Sequence, residues 1–244
     1  MAQSFLSKQP TVITVRHGES ESNLVIHKSP NQLVDESGVK KLESFEDPAL
    51  TATGIIQANL TAEHLYNHFI TTYGDDVKLM IWISPFLRTR QTAEPFIKMA
   101  SSLIENIRIE PMLQEFVRSG KELSSDFITE TGLKNHQSWI EYQDDIKTLN
   151  EKIKTTIRSF NDNTHLVIFG HSLTTSILTT YQATNEHYIT ESYATIQLSN
   201  CSLTTVRYNE RFKSWDILHV GAIAHLPTEY ATGIHVTFGS RLIM

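Results

Sequence analysis

The chain has 244 residues, 40% hydrophobic and 20% charged, enough apolar material for a core without disulfides or metals. Lys and Arg number 21 against 27 Asp and Glu, a formal charge of -6 that argues against a nucleic-acid-coating surface or a polybasic membrane patch. One cysteine excludes an internal disulfide and Cys-rich zinc or iron–sulfur sites, and no apolar run approaches the ~18 residues of a spanning helix.

The first ten residues lack the apolar segment and cleavage pattern of a signal peptide, so a soluble cytoplasmic protein is expected. In chain order, Val12–Val15, Leu79–Ile83 and Leu166–Phe169 read as buried strands. Ile55, Ala58, Ala62, Leu65 and Phe69 recur at helical spacing and predict a helix over about 54–72. Trp139, Ile146, Leu149, Ile153, Ile157 and Phe160 predict another over about 138–160, and Cys201–Tyr208 and Trp215–Val220 read as two further strands. Strands alternating with helices predict an α/β fold with a mostly parallel central sheet flanked by helices on both faces. No composition shift marks a boundary, so a single domain over 1–244 is expected. Two polar, aperiodic stretches at about 25–48 and 118–137 read as long loop insertions.

Ligands in open α/β sheets bind beyond the carboxyl ends of the strands. The first run continues Arg16-His17-Gly18-Glu19-Ser20, with Asn23 beyond. The second continues Ser84-Pro85-Phe86-Leu87-Arg88, and the third Gly170-His171-Ser172. Two histidines and two arginines thus converge on one mouth, each at a strand-to-helix junction that favours an anion. A cationic pocket in an acidic chain points to a phosphate ester.

These residues resemble the signature of the histidine phosphatase superfamily, which includes the phosphoglycerate mutases. Asp47, Leu50, Thr51, Gly54, Gln57 and Ala58 resemble its second block, Ser84–Ala93 its third, and Phe169-Gly170-His171 its second-histidine block. Asn200-Cys201-Ser202-Leu203, Trp215-Asp216-Ile217 and His225-Leu226 resemble the tail of its phosphatase members. The blocks fall in family order over about 12–226. The resemblance implies a phosphoglycerate mutase-like fold and a metal-independent phosphatase that hydrolyses a small phosphorylated substrate through a phosphohistidine on His17.

A neutral imidazole can attack phosphorus, and neighbouring cations disfavour its protonated form, so Arg16 and Arg88 suit both activation of His17 and binding of phosphoryl oxygens. The resemblance makes His171 the second histidine, donating to an equatorial oxygen, and lets Asn23 reach the phosphate through its amide. Ser20 fits either a phosphate contact or a plain helix N-cap. A carboxylic acid must protonate the leaving oxygen. Glu115 is the closest match to the family's glutamate and Glu122 is the substitute, because the segment after Glu115 departs from the family pattern. Ser172 is a second departure, standing where many relatives have glycine. Metal and cofactor sites are not expected, and neither a nucleic-acid partner nor a membrane partner is. The other readings are mutase-type phosphoryl transfer, needing a bisphosphorylated cofactor, and a weakly active module that binds phospho-ligands.

Three local patterns point elsewhere, of which the seryl-hydrolase one stands as a minor alternative. Cys201 and Arg207 have the C-x5-R spacing of cysteine phosphatases, but the residues between them read as a strand without glycine. Gly170–Thr174 resembles a seryl-hydrolase elbow lacking its second glycine. His64 and His68 have the i, i+4 spacing of a metal pair, with no third ligand evident nearby. Lys28, Lys40, Lys41, Arg118 and Lys121 in the two insertions could meet a charged substrate tail or simply be solvated.

Overall fold

A computed structural model describes residues 9–23, 46–116, 123–184 and 196–233. Six strands form one sheet: β1 (Val12–Arg16), β2 (Lys78–Ile83), β3 (Ile104–Ile109), β4 (Thr164–Gly170), β5 (Leu203–Asn209) and β6 (Ser214–Ala222). Their order is β3-β2-β4-β1-β5-β6; the first four are parallel, and β5 runs antiparallel to both β1 and β6. The helices are α1 (Ala52–Tyr73), α2 (Leu87–Met99), α3 (Ser125–Thr131), α4 (Trp139–Ile157) and α5 (Ser172–Thr184).

Alternation along the central strands divides their side chains between two cores. Ile13, Val15, Ile81, Val167 and Phe169 pack with Leu65 and Phe69 of α1 and Phe96 of α2. Val12, Trp82, Leu166 and Ile168 pack with Ile146 and Leu149 of α4 and Ile177 and Tyr181 of α5. Burial on both faces is why these strands read as continuous apolar runs. β3 escaped that test. It is an edge strand, IENIRI, whose last five residues are all exposed.

Both periodic helices form, with local differences. Ile55 faces solvent at 51% exposure, and Gly54 and Gln57 take the buried face at the start of α1. The reason lies in the loop after β1. A Cβ on Gly54 would stand 2.0 Å from the Glu19 carbonyl oxygen, and one on Gly18 would stand 2.7 Å from the Gly54 oxygen, so backbone meets backbone there. α4 ends at Ile157, leaving Phe160 beyond it. Of the stretch 118–137, the described part carries α3, capped by the Ser124 hydroxyl at one end and by Gly132 at φ +70° at the other. Leu123, Phe127, Ile128 and Leu133 from this stretch pack with Phe86 in a small third core. Residues 24–45, which hold most of the other expected insertion, and residues 117–122 lie outside the described residues.

Candidate active site

Register brings the three motifs together. Arg16 pairs with Gly170 and Ile83 with Phe169, so His17, His171 and Ser84 leave adjacent parallel strands side by side. The ladder runs one residue further: the amide of His17 donates to the Gly170 carbonyl (3.0 Å) and that of Ser84 to the Phe169 carbonyl (3.0 Å).

His17 is buried, and its Nδ1 lies 2.7 Å from the Gly18 carbonyl oxygen. A carbonyl only accepts, so Nδ1 carries the proton and Nε2 keeps its lone pair. Burial, then Arg88, then Arg16 hold this imidazole well below its ordinary pKa. Its loop is pinned on several sides. Gly18 N–H donates to the Thr92 hydroxyl (3.0 Å), and Glu19 N–H donates to Gln57 Oε1 (2.7 Å). The Glu19 carboxylate accepts from the Thr51 hydroxyl (2.8 Å), the N-cap of α1.

Arg16 ends β1 with its Nη1 donating to the carbonyls of Leu198 and Gly233, while its buried Nε has no partner among the described residues. An orphaned guanidinium N–H beside an imidazole with a free lone pair is a donor suited to an anion. Arg88, in the first turn of α2, lies with its guanidinium carbon 4.4 Å from the Phe86 ring centre. Its Nη2 stands 3.2 Å from His171 Nδ1 and 3.5 Å from Glu115 Oε2. Asp47 sets α2 in place, accepting from the Leu87 amide (2.6 Å).

His171 is engaged at both nitrogens. Arginine only donates, so Nδ1 accepts from Arg88, and Nε2–H donates to the Ser84 hydroxyl (2.9 Å). Burial, then Arg88, hold this ring neutral too, and its centroid is 5.3 Å from that of His17. Glu115 follows a 3-10 turn at Pro111–Leu113 and comes within 3.8 Å of His171 Nδ1. Its neighbour Gln114 is clamped: its carbonyl accepts from the Thr174 hydroxyl (2.7 Å), and its amide bonds both backbone groups of Lys134. Ser20 and Asn23 close the other side, with Ser20 N–H and Oγ–H both donating to Asn23 Oδ1 (3.2 and 3.1 Å).

All seven expected residues (Arg16, His17, Ser20, Asn23, Arg88, Glu115 and His171) therefore gather at one mouth. Glu122, with Lys28, Lys40, Lys41, Arg118 and Lys121, lies outside the described residues. Ser84, Thr92 and Asn200 join the site without having been assigned roles from sequence. Ser84 had a signal, since it follows β2 as His17 follows β1. The cysteine-phosphatase pattern disperses: Cys201 is buried with its thiol pushed up to about 12, and Arg207 pairs with Asp216 (2.9 Å). His64 stacks on His225 at 4.8 Å. Among the described residues, His17, Glu115 and His171 bring ligating atoms within 4.8 Å of one another, but two guanidinium groups share that space and favour an anion over a cation.

The profile of the histidine phosphatase superfamily (branch 1) matches residues 12–221. The chain belongs to this superfamily. Membership supports phosphatase or phosphoryl-transfer activity. No curated protein matches the sequence. Among solved structures, the chain resembles a mycobacterial glucosyl-3-phosphoglycerate phosphatase (16% identity, TM-score 0.59, 88% of this chain and 100% of that one). It also resembles a phosphoserine phosphatase from Entamoeba histolytica (18%, 0.57, 90% and 100%). A third likeness is to an ecdysone phosphate phosphatase from Bombyx mori (16%, 0.52, 90% and 96%). At these identities the likeness concerns the histidine phosphatase fold.

Proposed function

We propose that the protein is a metal-independent phosphatase that hydrolyses small phosphomonoesters through a phosphohistidine on His17. The observation that carries this reading is the tautomer of His17, whose Nε2 lone pair is free because Nδ1–H is committed to Gly18. Around it stand Arg16 with an orphaned N–H, Arg88 and His171. His17 Nε2 attacks phosphorus as the P–O ester bond breaks, and the leaving oxygen takes its proton from the Glu115 carboxyl group. The resulting carboxylate then accepts a proton from water, which attacks phosphorus, releases phosphate and restores His17. Arg16 and Arg88 stabilise charge on the phosphoryl oxygens through both steps. The names of the similar structures, phosphatases of three different esters, favour hydrolysis over a mutase reaction.

A cytoplasmic location and a single domain whose segments at 25–48 and 118–137 shape the substrate end belong to the same proposal. Its supports are the acidic charge, the one buried cysteine and the absence of a membrane-crossing helix among the described residues. The test is phosphate release from an aryl phosphate in EDTA by wild type and His17→Ala, with trapping of the phosphoenzyme in alkaline detergent. Turnover and an acid-labile adduct are expected in wild type only. Equal activity in both proteins would exclude the His17 mechanism.

A further inference from the structure

We infer that Asn200 is a positioning residue that aims the carboxamide of Asn23 at the phosphoryl group while anchoring the main chain at His17. The inference rests on the site's reading as a phosphate pocket. Asn200 is fully buried in the turn before β5. Its Nδ2 donates twice, to the main-chain oxygen of His17 (3.1 Å) and to Asn23 Oδ1 (3.1 Å).

The consequence for Asn23 follows from counting donors. Its Oδ1 accepts from Ser20 N–H, Ser20 Oγ–H and Asn200 Nδ2. Three donors on one oxygen fix which way the amide is turned, and leave its NH2 as the half able to bond an anion. Without Asn200 the amide could rotate and present its oxygen to the phosphate, a repulsive contact. The His17 carbonyl is held in the same way, by Asn200 Nδ2 and by the Cys201 amide (3.3 Å), the latter from a residue at φ +55°.

Asn200 is itself held. Its Oδ1 accepts from the Thr232 hydroxyl (3.2 Å) and its amide donates to the Thr232 carbonyl (2.9 Å). Gln57 Nε2 donates to the same Thr232 hydroxyl (2.7 Å), while Gln57 Oε1 accepts from Glu19 N–H. A closed ring of buried and half-buried bonds therefore runs from the loop after His17 through α1 and the 228–233 segment and back. Buried networks that are fully satisfied specify one geometry, which suits a positioning role.

The test is a double-mutant cycle on Asn23→Ala and Asn200→Ala. The first readout is orthophosphate affinity by calorimetry, which needs no turnover; kcat and KM on an aryl phosphate form the second. Each single variant is expected to weaken phosphate binding by roughly tenfold, as for a lost hydrogen bond to a charged group. The double variant should be scarcely weaker than either, because Asn200 acts through Asn23. Multiplicative losses would overturn the inference, as would wild-type affinity in Asn200→Ala. A wild type that binds no phosphate would overturn both this inference and the pocket's reading. One that binds phosphate in the predicted cycle but hydrolyses nothing would remove only the hydrolytic reading. If Asn200→Ala melts too low to assay, Thr232→Val loosens Asn200 without altering its own turn. It should then show a severalfold loss that disappears in the Asn23→Ala background, and a loss persisting there would count against the inference.

Discussion

Arg88 Nη2 donates to His171 Nδ1 at 3.2 Å, so one of the proposed phosphate-binding cations rests on the second histidine ring. Ser84 holds Nε2, which leaves Nδ1 as the atom able to reach a phosphoryl oxygen. With Nε2–H kept on Ser84, His171 can donate there only after Arg88 leaves and Nδ1 gains a proton. Binding of a dianion is thus coupled to uptake of one proton. The groups facing the ring are Arg88 from α2, Glu115 after β3, Arg16 at the end of β1 and His17 just after it. Burial and these cations hold the ring's pKa low, and a bound dianion raises it. Sulfate, which does not titrate here, should inhibit tenfold less for each unit of pH rise between those two pKa values. His171→Gln should flatten the slope. A flat profile in wild type would contradict the coupling.

Glu115 sits 3.5 Å from Arg88 and 3.8 Å from His171, where a leaving oxygen could reach it. Its worth as an acid depends on how much the leaving group needs a proton. Glu115→Gln should lower turnover of an alkyl phosphate by on the order of 10²–10⁴. With a nitrophenyl phosphate the first step needs little acid, so a burst of nitrophenolate should precede slow hydrolysis of the phosphoenzyme. Equal losses on both substrates, with no burst, would move the acid role away from Glu115.

The parts legible in sequence share a physical cause. β1, β2 and β4 are buried on both faces and so carry mostly apolar runs; Arg16 ends the first, and His17, Arg88 and His171 follow within a few residues. β3 was not legible because an edge strand needs no apolar run. α3 is a seven-residue helix whose caps, Ser124 and Gly132, also suit an ordinary loop. Ser84 and Asn200 act by hydrogen-bonding another site residue, and their partners lie 87 and 177 positions away in His171 and Asn23. Residue type alone carries no trace of such a pairing.

The two glycines at the mouth differ in kind from Gly170. A Cβ on Gly54 would overlap the Glu19 carbonyl, so Gly54→Ala must push the loop after His17 off α1. The expected cost is about 1–3 kcal/mol of stability, with lost activity, as for overpacking generally. A Cβ on Gly170 meets nothing within 4 Å, so Gly170→Ala should melt close to wild type. Thermal melts of the two variants decide this; equal melting would mean that the α1 contact does not hold the loop.

Buried neutral histidines make the fold acid-sensitive well above the carboxylate range. His165 on β4 is fully buried; Nδ1 accepts from the Thr11 amide (3.2 Å) and hydroxyl (2.8 Å), and its ring lies 4.0 Å from that of Tyr73. Its Nε2–H has no partner among the described residues, and a second proton would have to go to Nδ1, where it would face the Thr11 N–H that now donates there. Burial brings its pKa to about 4. In the unfolded chain the value is about 6.5, so between those limits the unfolded state binds more protons. The stability this group contributes is therefore complete above pH 6.5 and lost as pH falls towards 4, roughly 3 kcal/mol in all. His17 and His171, also depressed by burial, act in the same direction. His165→Asn keeps an acceptor for Thr11 and removes the titration. Its melting temperature should fall less than that of wild type between pH 7 and 5. Parallel losses in the two proteins would place the acid sensitivity elsewhere.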